Sequence, residues 1–301
     1  MSTSGSFPPV IDSSIMASYK ACPTLFRREY IEDWKAKDPS VHLHAGAAFA
    51  KGIEVARTEF YVAGASLLSA LEKGREALAE AYGDFDCPHN SAKTKDRMLG
   101  AFDFYWANYQ LNADSPPIIL PNGRQGIEFS FAEPLSILNP NTQEPLIYSG
   151  RMDAILNFAG GVFIEDDKTT TSLGPTWSRQ WDLRAQFSSY CWGAQRNGIK
   201  VDGVLVRGVS ILKTKYETQQ AISYRPQWMI DRWFEETQQW IEDMVNCYVT
   251  GKYRHNLDSS CSSYGGCSFR EACSSQDPQP YLDVGFERRR WSPLTRQETK
   301  L

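Results

Sequence analysis

At 301 residues the chain is long enough for one large domain or two small ones with an ample core. Its 32 Lys and Arg against 36 Asp and Glu leave a net charge of −4, which excludes a surface coated in positive charge for indiscriminate nucleic-acid binding. There is no basic start followed by an apolar run and no stretch of about 18 apolar residues, so a soluble protein without a membrane partner is expected, cytoplasmic or phage-encoded and acting in a host cytoplasm. Seven cysteines, an odd count, are in that setting thiols, metal ligands or cluster ligands rather than disulfides.

Residues 1–12, rich in Ser, Gly and Pro, read as a flexible leader. From Ser13 the pattern is helical, with Ile15, Met16 and Tyr19 apolar, as far as Cys22-Pro23. Leu25, Phe26, Tyr30, Ile31 and Trp34 then mark one face of a second helix, with Arg27 and Arg28 beside it. Residues 44–63 carry Gly46, Ala47, Ala48, Ala50 and Gly52, small enough for close packing on a neighbouring helix. Two more amphipathic helices are expected at about 66–82 and 95–109, separated by a polar loop with Cys87, His89 and Lys93.

Residues 126–138 alternate as a strand, with Ile127, Phe129 and Phe131 facing one way and Glu128 and Ser130 the other. The runs 146–157 and 162–170 flank Ala159-Gly160-Gly161, where glycine supplies the positive φ of a tight turn, and read as adjacent antiparallel strands. A helix over 177–197 capped by Gly198, strands over 201–212 and 217–224, and a long helix from Pro226 to about Val249 follow. From Tyr253 the chain is too polar to build a core of its own. Arg288-Arg289-Arg290 looks like part of a loose basic tail, and there is no internal repeat.

The chemistry concentrates in the hairpin. Gly150-Arg151-Met152-Asp153 lies on one strand and Glu165-Asp166-Asp167-Lys168 on the next. Strand side chains alternate, so Asp166 and Lys168 share one face while Glu165 and Asp167 share the other. Two carboxylates from neighbouring strands beside an ammonium can hold a hard divalent cation and steady a water or a phosphate oxygen, the equipment of metal-assisted phosphodiester hydrolysis. A charged run of this kind is also the ordinary content of a solvated strand end. On the following helix Gln186 and Tyr190 lie one turn apart, either as substrate contacts or as members of an ordinary amphipathic face. No phosphate-binding Gly-x-x-x-x-Gly-Lys loop, His-Glu-x-x-His or Gly-x-Ser-x-Gly occurs, so motor, zinc-protease and serine-hydrolase readings lack their parts.

The order of helices, Glu128, Gly-x-x-Asp, Asp-x-Lys and Gln-x-x-x-Tyr resembles the nuclease domain of the PD-(D/E)XK superfamily, in its RecB-like branch that includes the CRISPR-associated exonucleases. The resemblance covers about residues 13–275. It implies an α/β (α+β), restriction-endonuclease-like mixed sheet flanked by helices, with Asp153, Asp166 and the backbone carbonyl of Asp167 holding Mg²⁺ or Mn²⁺, Lys168 placing the attacking water, and Gln186 and Tyr190 holding the strand. Arg27, Arg28, Lys93 and Lys95 are candidate phosphate contacts or plain surface charge, and Glu128 either supports the site or faces solvent.

Cys261, Cys267 and Cys273 are spaced with five residues between each, and Cys22 stands far upstream. Iron-sulfur members of the branch are similar, with one cysteine before the domain and three after it on a [4Fe-4S] cluster; a four-cysteine zinc site is the second reading. The chain departs from the branch at Ala50, where a histidine that completes the metal shell usually stands between Gly46 and Glu54.

The expected division is a leader 1–12, a helical region 13–112 contributing one cluster cysteine, a nuclease core 113–252, an iron-sulfur segment 253–280 and a basic tail 281–301. The expected activity is a metal-dependent DNA exonuclease acting on single-stranded ends, alone or within a recombination, repair or CRISPR-adaptation complex. The alternative is a nucleic-acid-binding or complex-forming subunit with weak or no cleavage.

Overall fold

The computed structural model describes residues 5–38, 40–113, 115–262 and 266–301. In chain order the first elements are β1 (Val10–Ile11), α1 (Ser13–Ala21), α2 (Pro23–Phe26), β2 (Trp34–Ala36), α3 (Val41–Arg57), α4 (Leu67–Tyr82) and α5 (Lys95–Tyr109). Strands β3 (Ile127–Leu138), β4 (Pro145–Phe158) and β5 (Gly161–Thr170) follow, then α6 (Pro175–Arg179), α7 (Ala185–Arg196), β6 (Gly203–Ile211), β7 (Tyr216–Tyr224) and α8 (Gln227–Thr250). The chain closes with α9 (Ser259–Ser262), α10 (Arg270–Ser274), α11 (Gln279–Gly285), β8 (Phe286–Ser292) and β9 (Gln297–Lys300). None of the described helices is long and apolar enough to cross a membrane.

Two compact units interleave along the chain. One takes the described residues of 1–38, 131–150 and 231–301; the other takes those of 39–130 and 151–230. In place of the five successive segments expected from sequence, each unit draws on separated stretches.

In the second unit β4, β5, β6 and β7 are neighbours in a mixed sheet, antiparallel for β4–β5 and β6–β7 and parallel for β5–β6. The parallel pair needs a crossover, which α6 and α7 supply. Every residue of β6 is buried, so its sequence is a continuous run and not an alternation. The long expected helix over 177–197 is instead two: α6 stops at Arg179, and Trp181 to Arg184 turn the chain before α7.

Helices α3, α4 and α5 form the main apolar core of this unit, around Phe49, Ile53, Leu78, Met98 and Phe102. The small residues of α3 do what their size permits. A Cβ on Gly52 would come within 2.9 Å of the Gly74 carbonyl oxygen, and one on Gly74 within 2.7 Å of the Gly52 carbonyl oxygen, so the two backbones meet glycine to glycine.

In the first unit β1 runs parallel to the start of β4, with Val10 opposite Ile147. Phe7 is 1 % exposed and packs edge-on against Phe26 and Tyr248. The expected leader is therefore anchored in the core by Phe7, Val10 and Ile11, although Ser6 and Pro9 stay exposed; residues 1–4 of it lie outside the described residues. Strands β2, β8 and β9 make a second, antiparallel sheet.

The basic tail is likewise corrected. Arg288 lies with its guanidinium 3.8 Å from the Trp34 ring centre, Arg289 pairs with Glu287 and Glu298 at 3.1 Å each, and Arg290 pairs with Asp33 at 2.8 Å. Partners distant in sequence turn three apparent tail charges into a sheet face. The polar C-terminal segment also joins a small core of Trp34, Phe269, Ala272, Leu282 and Phe286.

Replacing Gly74 with Val puts branched carbons into the carbonyl of Gly52, and is expected to lower stability by about 2 kcal/mol or more. Urea unfolding of the variant against wild type measures it.

Candidate functional site

The hairpin register sets the site. Ala154 faces Glu165 across β4 and β5, which places Asp153 opposite Asp166 one step further along. The Lys168 ammonium pairs directly with Asp166 Oδ2, and both Asp166 and Asp153 favour its charged form. Burial pushes the Asp166 carboxyl up to about 6; Lys168 opposes that rise, and the neighbouring Asp153 adds to it. Asp166 is 2 % exposed. It is a buried acid held against a lysine and a second acid. The Asp153 carboxylate is itself held by the Asp167 backbone N–H, which donates to its Oδ2 at 3.0 Å.

The other face of β5 is built differently. Glu165 is fully buried and receives the guanidinium groups of Arg57 from α3 and Arg207 from β6, the latter at 2.8 Å. Arg57 also binds Asp167 at 3.0 Å, and the Tyr105 hydroxyl donates to Asp167 Oδ1 at 2.6 Å. Burial opposes the charge on Arg57, but Glu165 and Asp167 outweigh it and hold its pKa above the ordinary value. Burial first, then Asp167, raises the Tyr105 phenol well above its usual range, so it stays a donor.

Arg57, Tyr105 and Arg207 were not singled out in the sequence. Arg57 lies 110 residues from Asp167, and only the placement of α3 and α5 over β5 joins them. The signal available was the strand alternation itself, which aims Glu165 and Asp167 into the helical side. That burial overturns the solvated-strand-end reading for both.

Of the other singled-out residues, Gln186 and Tyr190 are brought together on α7, where the amide donates to the phenol oxygen at 2.9 Å. Arg184, directly before α7, is the positive group whose charge reaches Lys168 and works against its protonation. Gly208, in register with Lys168, leaves room for Trp177: a Cβ there would be 2.4 Å from the indole. Glu128 pairs with Arg151 at 2.8 Å and has φ +51, a local irregularity within β3 that the alternation did not reveal. Glu54 pairs with Lys51 at 2.9 Å.

The four candidate phosphate contacts divide. Arg27 pairs with Glu32 at 2.7 Å, and Lys95 donates to the Gly83 carbonyl at 3.2 Å. Arg28 and Lys93 are buried, which corrects their reading as surface charge. The Lys93 ammonium donates to Thr169 Oγ1 at 2.9 Å, and burial lowers its pKa to about 8.

In the first unit Cys22, Cys261, Cys267 and Cys273 all line one cavity of about 280 Å³, together with Arg28, His255 and Phe269. Ser263, Tyr264 and Gly265, between the second and third of these cysteines, lie outside the described residues. Cys22 accepts from the Asn256 N–H at 3.4 Å, and Thr24 binds the Arg254 carbonyl at 3.0 Å, so residues 254–256 are stapled to the start of α2. Burial raises the thiol pKa of Cys267 and Cys273, with Arg28 opposing at Cys273. Among the described residues no three His, Cys, Asp or Glu side chains gather closely enough to hold a single metal ion. Cys191 and Cys247 are buried thiols, as expected of helical cysteines.

Asp153, Asp166 and Lys168 thus lie on the adjacent strands β4 and β5 of the mixed sheet. The family model of the PD-(D/E)XK nuclease superfamily matches residues 13–274, and the chain belongs to that superfamily. Its sheet and flanking helices are the restriction-endonuclease-like architecture. Among solved structures, a candidate exonuclease from Eubacterium rectale is 12% identical with a TM-score of 0.51, over 85% of this chain and 88% of its own. The structure of SSO0001 is 14% identical with a TM-score of 0.30, over 72% of this chain and 80% of its own. No curated protein matches the sequence.

Two outcomes follow from the buried charges. Arg57→Leu leaves Glu165 and Asp167 short of a counter-charge and is expected to cost about 3–5 kcal/mol in denaturant unfolding, whereas Tyr105→Phe, which keeps the ring, costs about 1–3 kcal/mol. Lys93 has a folded pKa of about 8 against 10.5 unfolded, so its buried charge destabilises fully below pH 8 and the penalty is lifted as pH rises to about 10.5. Lys93→Met is therefore expected to be more stable than wild type at pH 7, with the gap closing between those values in melts across pH.

Proposed function

We propose that the protein is a divalent-metal-dependent DNA exonuclease acting on single-stranded ends. The observation that carries this reading is Asp153 and Asp166 side by side on adjacent strands, with Lys168 on the face of Asp166. The donor set fits Mg²⁺ or Mn²⁺: the two carboxylates of Asp153 and Asp166, and the Asp167 backbone carbonyl as a further hard oxygen.

The metal when bound would supply a polarised water and positive charge at the phosphate. The chain's own residues do the rest. Asp167, clamped by Arg57 and Tyr105, holds Asp153 through its N–H. Lys168 exchanges its pairing with Asp166 for the attacking water or the phosphate oxygen, a fixed charge where negative charge develops. Gln186 and Tyr190 hold the strand from α7. Aromatic side chains can stack unpaired bases without reading sequence, which favours a single-stranded end. The description of the Eubacterium rectale structure agrees with an end-directed enzyme, and a recombination, repair or CRISPR-adaptation complex would supply such ends.

The cysteine cavity supports a [4Fe-4S] cluster in the first unit. Four thiols lining one cavity provide the four thiolate ligands that such a cluster takes.

The test uses 5′- and 3′-labelled single-stranded DNA, duplex DNA and RNA with Mg²⁺ or Mn²⁺. Wild type is expected to shorten single-stranded DNA from an end. Asp166→Asn and Lys168→Ala are expected to lose about 100-fold or more in rate while still retaining DNA in a filter-binding assay. Undiminished cleavage by Lys168→Ala would sink the catalytic assignment. Wild type that binds DNA without cutting under any metal would leave the complex-forming subunit, consistent with Ala50 at the histidine position.

A further inference from the structure

The cysteine cavity is electrically lopsided. Arg28, Arg270 and His255 line it alongside the four thiols, and among the described residues no Asp or Glu does. Arg270 is exposed, but Arg28 is 9 % exposed and packs 5.5 Å from the Phe269 ring centre. Its Nη1 is buried and meets no hydrogen-bond acceptor among the described residues.

A cation with a buried, unpaired N–H facing a cavity is stabilised by an anion placed there. Phe269 provides only a weak cation–π contact. Neutral thiols do not answer it either. Four thiolates on a dicationic core would, since they leave a net charge of about −2 inside the cavity.

We propose that Arg28 is the counter-charge of a net-anionic metal–thiolate centre bound by Cys22, Cys261, Cys267 and Cys273, and that it sets how readily that centre accepts an electron. The inference rests on the cluster reading above and goes beyond it by assigning a residue that is not a ligand. A positive charge close to the centre stabilises the form with one more electron, so Arg28 raises the midpoint potential; removing it lowers that potential. The same attraction holds the net-anionic centre in its cavity, which slows loss of the metal.

The experiment compares full-length wild type, Arg28→Gln, Arg28→Lys and Cys267→Ser, purified anaerobically, by iron and zinc content, visible absorbance and spectroelectrochemical titration. Wild type is expected to hold iron with a broad visible band that Cys267→Ser loses. Arg28→Gln is expected to keep iron with a potential shifted to more negative values and faster loss to chelator, and Arg28→Lys to restore the wild-type potential.

Where Arg28→Gln fails to fold, Arg28→Met, which keeps the apolar stem against Phe269, carries the same expectation. A neutral variant with the wild-type potential overturns the role of Arg28 while the cluster stands. Zinc in place of iron overturns the redox role, since Zn²⁺ accepts no electron, and moves the readout to chelation: faster zinc loss from the neutral variants upholds the counter-charge, and equal rates overturn it. Wild type without iron or zinc overturns the cluster reading and this inference together.

Discussion

The buried guanidinium of Arg57 is the interaction on which the arrangement of charges along β5 depends. It bridges Glu165 and Asp167 on the helical face of β5, and Arg207 and Tyr105 complete the arrangement. Ion pairs of this kind add little net stability over apolar packing, but each partner makes the others obligatory once it is buried. The consequence for the opposite face is direct. With the side chain of Asp167 immobilised, its N–H fixes Asp153, and alternation along β5 presents Asp166 and Lys168 on the other side. A strand of four consecutive charged residues is thereby divided into Glu165 and Asp167, paired with Arg57 on one face, and Asp166 and Lys168, paired with each other on the other.

The first unit solves a different problem. Its C-terminal residues have few apolar side chains, and they are held by a small core around Trp34 and Phe269, by backbone bonds to the start of α2, and around the cysteine cavity. Cys22 and the three later cysteines thus belong to one locality despite more than two hundred residues between them. A bound metal–thiolate centre would add a cross-link where apolar burial is thin.

The contrast between legible and illegible features follows range. The β4–β5 hairpin was readable because its turn chemistry, alternation and apolar runs are local, and the facing of Asp153, Asp166 and Lys168 follows from a period of two. The small residues of α3 announced a close helix contact for the same reason, although not that Gly74 would be its other half. The leader, the tail and Lys93 were misread alike. Phe7, Arg290 and the Lys93 ammonium look like solvent-facing or mobile groups until Tyr248, Asp33 and Thr169 are brought to them.

The sequence by itself determined the superfamily, the mixed α/β character, the two carboxylates and lysine that face one another, and the set of four cysteines, because each rests on spacing within an element or on an ordered series of short motifs. Only the tertiary structure decided that Glu165 and Asp167 are buried, that Arg57, Arg207 and Tyr105 hold them, that the chain divides into two interleaved units, and that Arg28 stands among the thiols. Those are pairings between residues far apart in the chain. Their free energy comes from removing several charges from water together, and no single segment carries that information.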